Sequence, residues 1–263
     1  MIAQAKNIQD RILDIKYGRV KEGLKKSTMN LAIGHSNVGK TTILIYLFTI
    51  WAIKHNLRFL IFSSENTPQS IVRKIIEFKM GKTINEASDL LINEAIRWCD
   101  LHFKIIDVED IYTYKTVLKE ATAIKDAWDY DGLLIDPYNS LAKDYTLYKS
   151  YCHGVTEALR KLNPAGHEYA GLPKSLQMSD VEGGGAFGNR ADDVISIHRQ
   201  NTHPTDWMWS LISVVKIKET EQGGRCTPYD EPIRLRMAKN NVGFEFLGRD
   251  LIHNVKPIEK LEI

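Results

Sequence analysis

Residues 34–41 read Gly34-His35-Ser36-Asn37-Val38-Gly39-Lys40-Thr41 and satisfy GxxxxGK[ST] at every fixed position. The spacing has a chemical purpose. Glycines let the main chain curl tightly, and the exposed N–H groups of such a curl, opening into a helix, carry partial positive charge toward an anion. Lys40 stands where an ammonium would reach the β and γ phosphates of a nucleoside triphosphate. The Thr41 hydroxyl stands where it would hold Mg2+, with Thr42 packing at the base of the site. ATP or a close relative is the implied ligand. The plain alternative is a glycine-rich turn that matches by chance. An apolar run ahead of the loop and a helical run behind it argue against that.

Two carboxylates follow at strand ends. Residues 58–63, RFLIFS, lead into Ser64 and Glu65. A carboxylate at the carboxyl end of a parallel strand sits where open α/β sheets place their chemistry. Glu65 is therefore the candidate general base for the attacking water, the alternative being a solvated residue that precedes or caps the next helix. Leu133-Leu134-Ile135-Asp136 is an apolar run closed by an acid. Downstream of a phosphate loop it has the pattern of a Walker B strand, with Asp136 as an Mg2+ ligand, direct or through water. Otherwise Asp136 only opens a turn with Pro137. His153 follows a further short apolar stretch and is a candidate contact to the γ phosphate; His167 and His198 offer structural or polar contacts. Cys152 beside His153 has no matching ligand cluster, so a metal other than Mg2+ is not expected.

The elements that must position these groups can be read from apolar periodicity. Strands are expected at 29–33, 58–63, 103–106, 132–135, 193–198, 209–217, 233–237 and 243–247. Helices are expected at 40–55, 67–80 (with Pro68 in its first turn), 84–99, 113–130 and 155–162. Alternation of helix and short strand implies an α/β fold with a mostly parallel central sheet covered on both faces. The last three strands are expected to run antiparallel or mixed at one edge. Residues 137–150 are barely enough for a crossover helix before a strand at 151–153. Polar turns span 164–190 and 219–230. Residues 1–28 form a connection with a short amphipathic helix at 8–21, packed on its own domain or on a neighbouring subunit, and 29–263 form the domain.

Composition narrows the class. The chain has 263 residues, enough for one α/β domain with a large core. Three cysteines far apart argue against a disulfide framework and suit a reducing compartment such as the cytoplasm. The charged start lacks the apolar run of a signal peptide. The longest apolar stretch, 43–53, is about half the length that crosses a bilayer, so no membrane partner is expected. A formal net charge of +2 does not by itself imply nucleic acid.

Taken in order, these segments resemble the RecA-like motor domain of the DnaB-like replicative helicase family, especially its phage-encoded members. GHSNVGKTT is similar to the family's phosphate loop. FSSENTPQSIVRKI is similar to its strand–Glu–helix segment, where the Glu is the catalytic base, and LLIDPYNSL to its Walker B segment. CHGVTEALR lies where the family has a γ-phosphate sensor, here His153. MSDVEGGGAFGNRADDVISIHR is similar to the stretch whose first part grips DNA in the central channel. VVKIKETEQGG is similar to the KxR segment that reaches the neighbouring subunit's γ phosphate. Lys216 and Lys218 hold its two positions, and Lys218 departs from the usual Arg, a point charge in place of a guanidinium fork.

The resemblance implies a homo-oligomer, a hexameric ring active at subunit interfaces, that uses ATP and Mg2+ to translocate on single-stranded DNA and unwind duplex. A separate primase or loader would be a partner. Along 172–190, Lys174 and Arg190 would meet DNA phosphates, with Gly183, Gly184, Gly185 and Asn189 supplying close backbone or polar contact. Asp180 lies in the same stretch, and with Glu182 would oppose binding if it faced the channel. An ordinary surface loop is the alternative there. On the same core, a filament-forming recombinase ATPase, or a nucleotide-gated DNA-assembly protein that barely turns ATP over, are the competing functions.

Overall fold

The computed structural model describes residues 29–107, 113–137, 191–218, 224–228 and 231–253. The expected helices at 8–21 and 155–162, the strand at 151–153, His153, and the stretch holding Lys174, Asp180, Gly183, Gly184, Gly185, Asn189 and Arg190 lie outside them. The chain divides into two compact units, with boundaries after Val38, Glu157 and Arg234.

In the first unit, β1 (Asn30–Ile33) pairs in parallel with β5 (Asp193–Arg199), Leu31 opposite Val194. β6 (Trp209–Ile217) pairs antiparallel with β5, with a bulge between Val194 and Ile195. Ile33, Ala191 and Val194 form a small buried cluster against Leu31 and Val215. A single 3-10 turn, Asp206–Met208, leads into β6.

The second unit holds a parallel sheet in the order β3-β2-β4, from β2 (Phe59–Ser63), β3 (Phe103–Ile106) and β4 (Gly132–Asp136). β2 is the middle strand, and Phe59 through Phe62 are fully buried. That explains its unbroken apolar run, since a strand covered on both faces has no polar side to show. Alternate side chains serve opposite faces. Leu60 and Phe62 join Ile106, Val117 and Ala121 under α4 (Tyr114–Ala127). On the other face Phe59 stacks between Phe48 of α1 (Lys40–His55), at 4.3 Å between ring centroids, and Phe103, at 5.8 Å. The Phe59 ring lies over Gly132, where a Cβ would come within 2.9 Å of it. Gly132 is thus the residue that lets β4 pass under this ring.

Helix α1 is apolar nearly all round, as a helix buried on most sides must be. Its Tyr46 packs edge-on against Phe78 and Phe244 and donates its hydroxyl to the Phe244 carbonyl at 2.7 Å. α2 (Pro68–Met80) begins as the sequence signals, with Thr67 accepting from the Ser70 N–H and Pro68 in the first turn, and ends on Gly81 at φ 68. β7 (Ile233–Met237), β8 (Phe244–Phe246) and β9 (Arg249–Asp250) form an antiparallel meander, its pairings within this unit running from Leu235 onward.

One expected element is corrected. The single helix at 84–99 is a 3-10 turn, Ile84–Glu86, followed by a separate helix α3, Asp89–His102. Thr83 and Glu86 close a capping box, and Ser88 starts the next helix by accepting from the Leu91 N–H at 3.4 Å. Two start signals five residues apart outweigh the continuous apolar spacing.

Candidate phosphate-binding site

The loop between β1 and α1 takes two left-handed residues, Asn37 at φ 63 and Gly39 at φ 85. Gly39 precedes the first helical residue and has no side chain to cap the helix, and the first turn carries no acid. An uncapped helix start with no acid of its own suits an anion. Within the loop Val38 is buried, at 3% exposure.

Three of the expected groups meet in the second unit. β4 ends at Asp136, in register with Ser63 at the end of β2, and the Ser64 N–H donates to the Asp136 carbonyl at 3.1 Å. This pairing sets Asp136 and the turn that carries Glu65 at one end of the sheet. Asp136, 7% exposed, accepts from the Thr41 hydroxyl at 2.5 Å. Lys40 is half-buried. Desolvation lowers its pKa below the ordinary 10.5, while the charges of Asp136 and then Glu65 pull it back up. Its ammonium thus sits in the field of both carboxylates.

Glu65 is exposed and stands in the turn after β2. Ser63 Oγ accepts from both the main-chain and side-chain nitrogens of Asn66, at 3.1 and 3.3 Å, which fixes that turn. The capping duty that Glu65 would have had on the plain reading belongs to Thr67. Thr41 and Asp136 offer hard oxygen donors 2.5 Å apart, a set that suits a small dication that keeps most of its waters. Among the described residues no group of three or more His, Cys, Asp or Glu gathers elsewhere to hold a metal.

In the first unit Lys216 stands near the end of β6 and Lys218 just beyond it, and each makes a bond within the chain. Lys216 donates to the Ala191 carbonyl at 2.6 Å, and Lys218 pairs with Asp192 at 2.6 Å. Asp192 also accepts from the Met29 N–H at 2.9 Å. These bonds hold its carboxyl below the usual range, the Lys218 bond first. Sequence reasoning did not single out Asp192 for this; its Ala-Asp setting before a strand was the available signal.

His198 is buried on β5, and its Nδ1 has no hydrogen-bond partner among the described residues. Burial, and then the nearby His35, lower its pKa from 6.5, so the ring is held neutral. The sign follows from linkage. Below pH 6.5 the unfolded chain takes up a proton that the folded chain refuses, so this residue's share of stability is present above pH 6.5 and is lost as pH falls below it. Denaturant midpoints measured from pH 7.5 to 5 should fall less steeply for His198→Asn than for wild type; equal slopes would exclude this role.

No family model matches the chain. A curated protein described as Twinkle homolog protein, chloroplastic/mitochondrial, from Arabidopsis thaliana is 25% identical over 195 residues, 64% of this chain and 28% of that protein. The chain therefore spans less than a third of the length of that relative. Among solved structures, one described as an ATPase domain superposes with a TM-score of 0.64 at 13% identity, covering 85% of this chain and 86% of that one. A DnaB-like replicative helicase, solved with its interactions with primase, gives 0.62 at 12% identity, covering 84% of this chain and 57% of that one. At such identities the likeness shows fold. The chain has the α/β RecA-like P-loop fold of those two structures.

Proposed function

We propose that the chain is the ATP-hydrolysing motor domain of a DnaB-like replicative helicase. The observation that carries the reading is the meeting of Thr41, Asp136 and Lys40 at the end of the β2–β4 pair. The Thr41 hydroxyl bonds to the Asp136 carboxylate, and the Lys40 ammonium lies in the field of Asp136 and Glu65. The likeness in fold to a solved ATPase domain and to a DnaB-like replicative helicase supports the choice among P-loop functions.

In this reading the phosphate loop, Gly34 to Thr42, binds the triphosphate, and Lys40 donates to its β and γ phosphates. Thr41 and Asp136 hold Mg2+, which when bound offsets phosphate charge. Glu65 orients the attacking water and takes its proton. His153 contacts the γ phosphate. Lys216 and Lys218 act on the neighbouring subunit's nucleotide in a hexameric ring. Lys174, Asn189, Arg190 and the Gly183–Gly185 backbone track single-stranded DNA, with Asp180 in the same stretch. A ring multiplies modest contacts from each subunit, so a chain of low net charge suffices. Among the described residues no helix is long and apolar enough to cross a membrane. We place the chain in the cytoplasm, with a separate primase or loader as partner.

A forked DNA substrate with ATP and Mg2+, assayed beside a mass measurement of the assembled particle, tests the whole reading. Unwinding by a six-subunit particle is expected. ATP turnover by a monomer, indifferent to single-stranded DNA, would exclude the motor.

A further inference from the structure

β5 ends against the phosphate loop inside one unit, where His198 and Asn201 meet it. His198 sets its ring edge-on to that of His35, with centroids 6.4 Å apart and planes at 69°. Three residues on, in the turn after β5, Asn201 donates from Nδ2 to the main-chain carbonyl of Asn37 at 2.6 Å. Asn37 is the loop residue in the left-handed region that is not glycine.

The consequence follows from peptide geometry. A trans peptide unit holds its C=O and the next N–H in opposite directions. With the Asn37 carbonyl drawn toward Asn201, the Val38 N–H must point the other way. The left-handed conformation costs an L-residue about 1–2 kcal/mol, so without a restraint the loop is free to trade it for a form in which this peptide is turned over. The turned form would present a carbonyl oxygen, a partial negative charge, where the loop should offer N–H donors to an anion. A side-chain amide that engages that one carbonyl selects between the two forms, and the His35–His198 ring contact holds the loop at a second point.

We propose that Asn201 is a positioning residue for triphosphate binding, which holds the Asn37 carbonyl so that the Val38 N–H faces the phosphates. The proposal rests on the nucleotide-binding reading of the loop and adds a residue that no motif marks. Asn201 is exposed, so its replacement should leave the fold intact. It touches no reacting atom, so its effect belongs in affinity and not in the chemical step.

The test is titration of MgATP and MgADP, with steady-state turnover, on the full chain carrying Asn201→Ala, Asn201→Leu or Asn201→Gln, thermal melting being followed in parallel. Removal of the donor should weaken both nucleotides about tenfold, the worth of one hydrogen bond that sets the loop. Turnover at saturation should stay within about twofold. Asn201→Leu, similar in shape but without a donor, should behave as Asn201→Ala, and it carries the same decision if the alanine variant does not fold. Asn201→Gln should recover most of the affinity. Wild-type affinity in the Ala or Leu variants, or a Gln variant as weak as Ala, would overturn the proposal. A wild-type chain that takes up no MgATP would instead sink the nucleotide-binding reading itself, a different and separately visible result.

Discussion

Glu65→Gln is expected to bind MgATP within a few-fold of wild type and to turn it over about 10²–10⁴-fold more slowly, the usual worth of a positioned general base. The substitution keeps shape and removes the charge that would accept the proton. Binding should survive because the loop and Lys40 are untouched, and Asp136, the larger of the two supporting charges at Lys40, remains. Folding should survive too. Glu65 is exposed, the turn around it is held by Ser63 and Asn66, and the following helix is capped by Thr67. Phosphate release at saturating MgATP, beside an equilibrium titration, reads both quantities. Unchanged turnover would return Glu65 to the role of a solvated turn residue.

Lys40→Ala should have the opposite signature: loss of binding with no loss of stability. Two charge-assisted hydrogen bonds to phosphate, at about 1.5–3 kcal/mol each, amount to about a hundredfold or more in affinity. In the protein without nucleotide the balance reverses. Burial is the largest influence on this ammonium and lowers its pKa, so the folded chain disfavours the charge despite Asp136 and Glu65. The sign check agrees. A lysine with a lowered folded pKa binds fewer protons than in the unfolded chain between that pKa and 10.5, and so detracts from stability at every lower pH. The alanine variant should therefore melt at or above the wild-type temperature while its MgATP affinity collapses. A variant that both binds weakly and melts early would mean that Lys40 serves the fold, and the loop would lose its main claim to a triphosphate.

Much of this site could be read locally. The loop motif needs only glycines, a lysine and a threonine at fixed spacing between a strand and a helix, and the structure supplies β1 before it and α1 after it. The apolar run at β2 signalled a strand buried on both faces, and the Thr67-Pro68 pair signalled the start of α2. Local signals also misled once. The apolar spacing through 84–99 hid the break that Thr83, Glu86 and Ser88 impose, because caps act through single side chains that periodicity averages away.

Within the sequence lay the chemistry available to this chain: a loop with the glycine, lysine and threonine spacing of a phosphate loop, an acid closing one apolar strand and another just past the end of a second, and the α/β alternation that sets such acids at one end of a sheet. Tertiary structure alone decided who meets whom. Thr41 and Asp136 are 95 positions apart, and Asn37 and Asn201 are 164 apart. The pairing of Lys218 with Asp192, likewise, arises from the register of two antiparallel strands. Composition and spacing act over a few residues, through backbone preference and the periodicity of one element. Contacts across such distances follow from strand register and the packing of whole faces, which no short window of sequence contains.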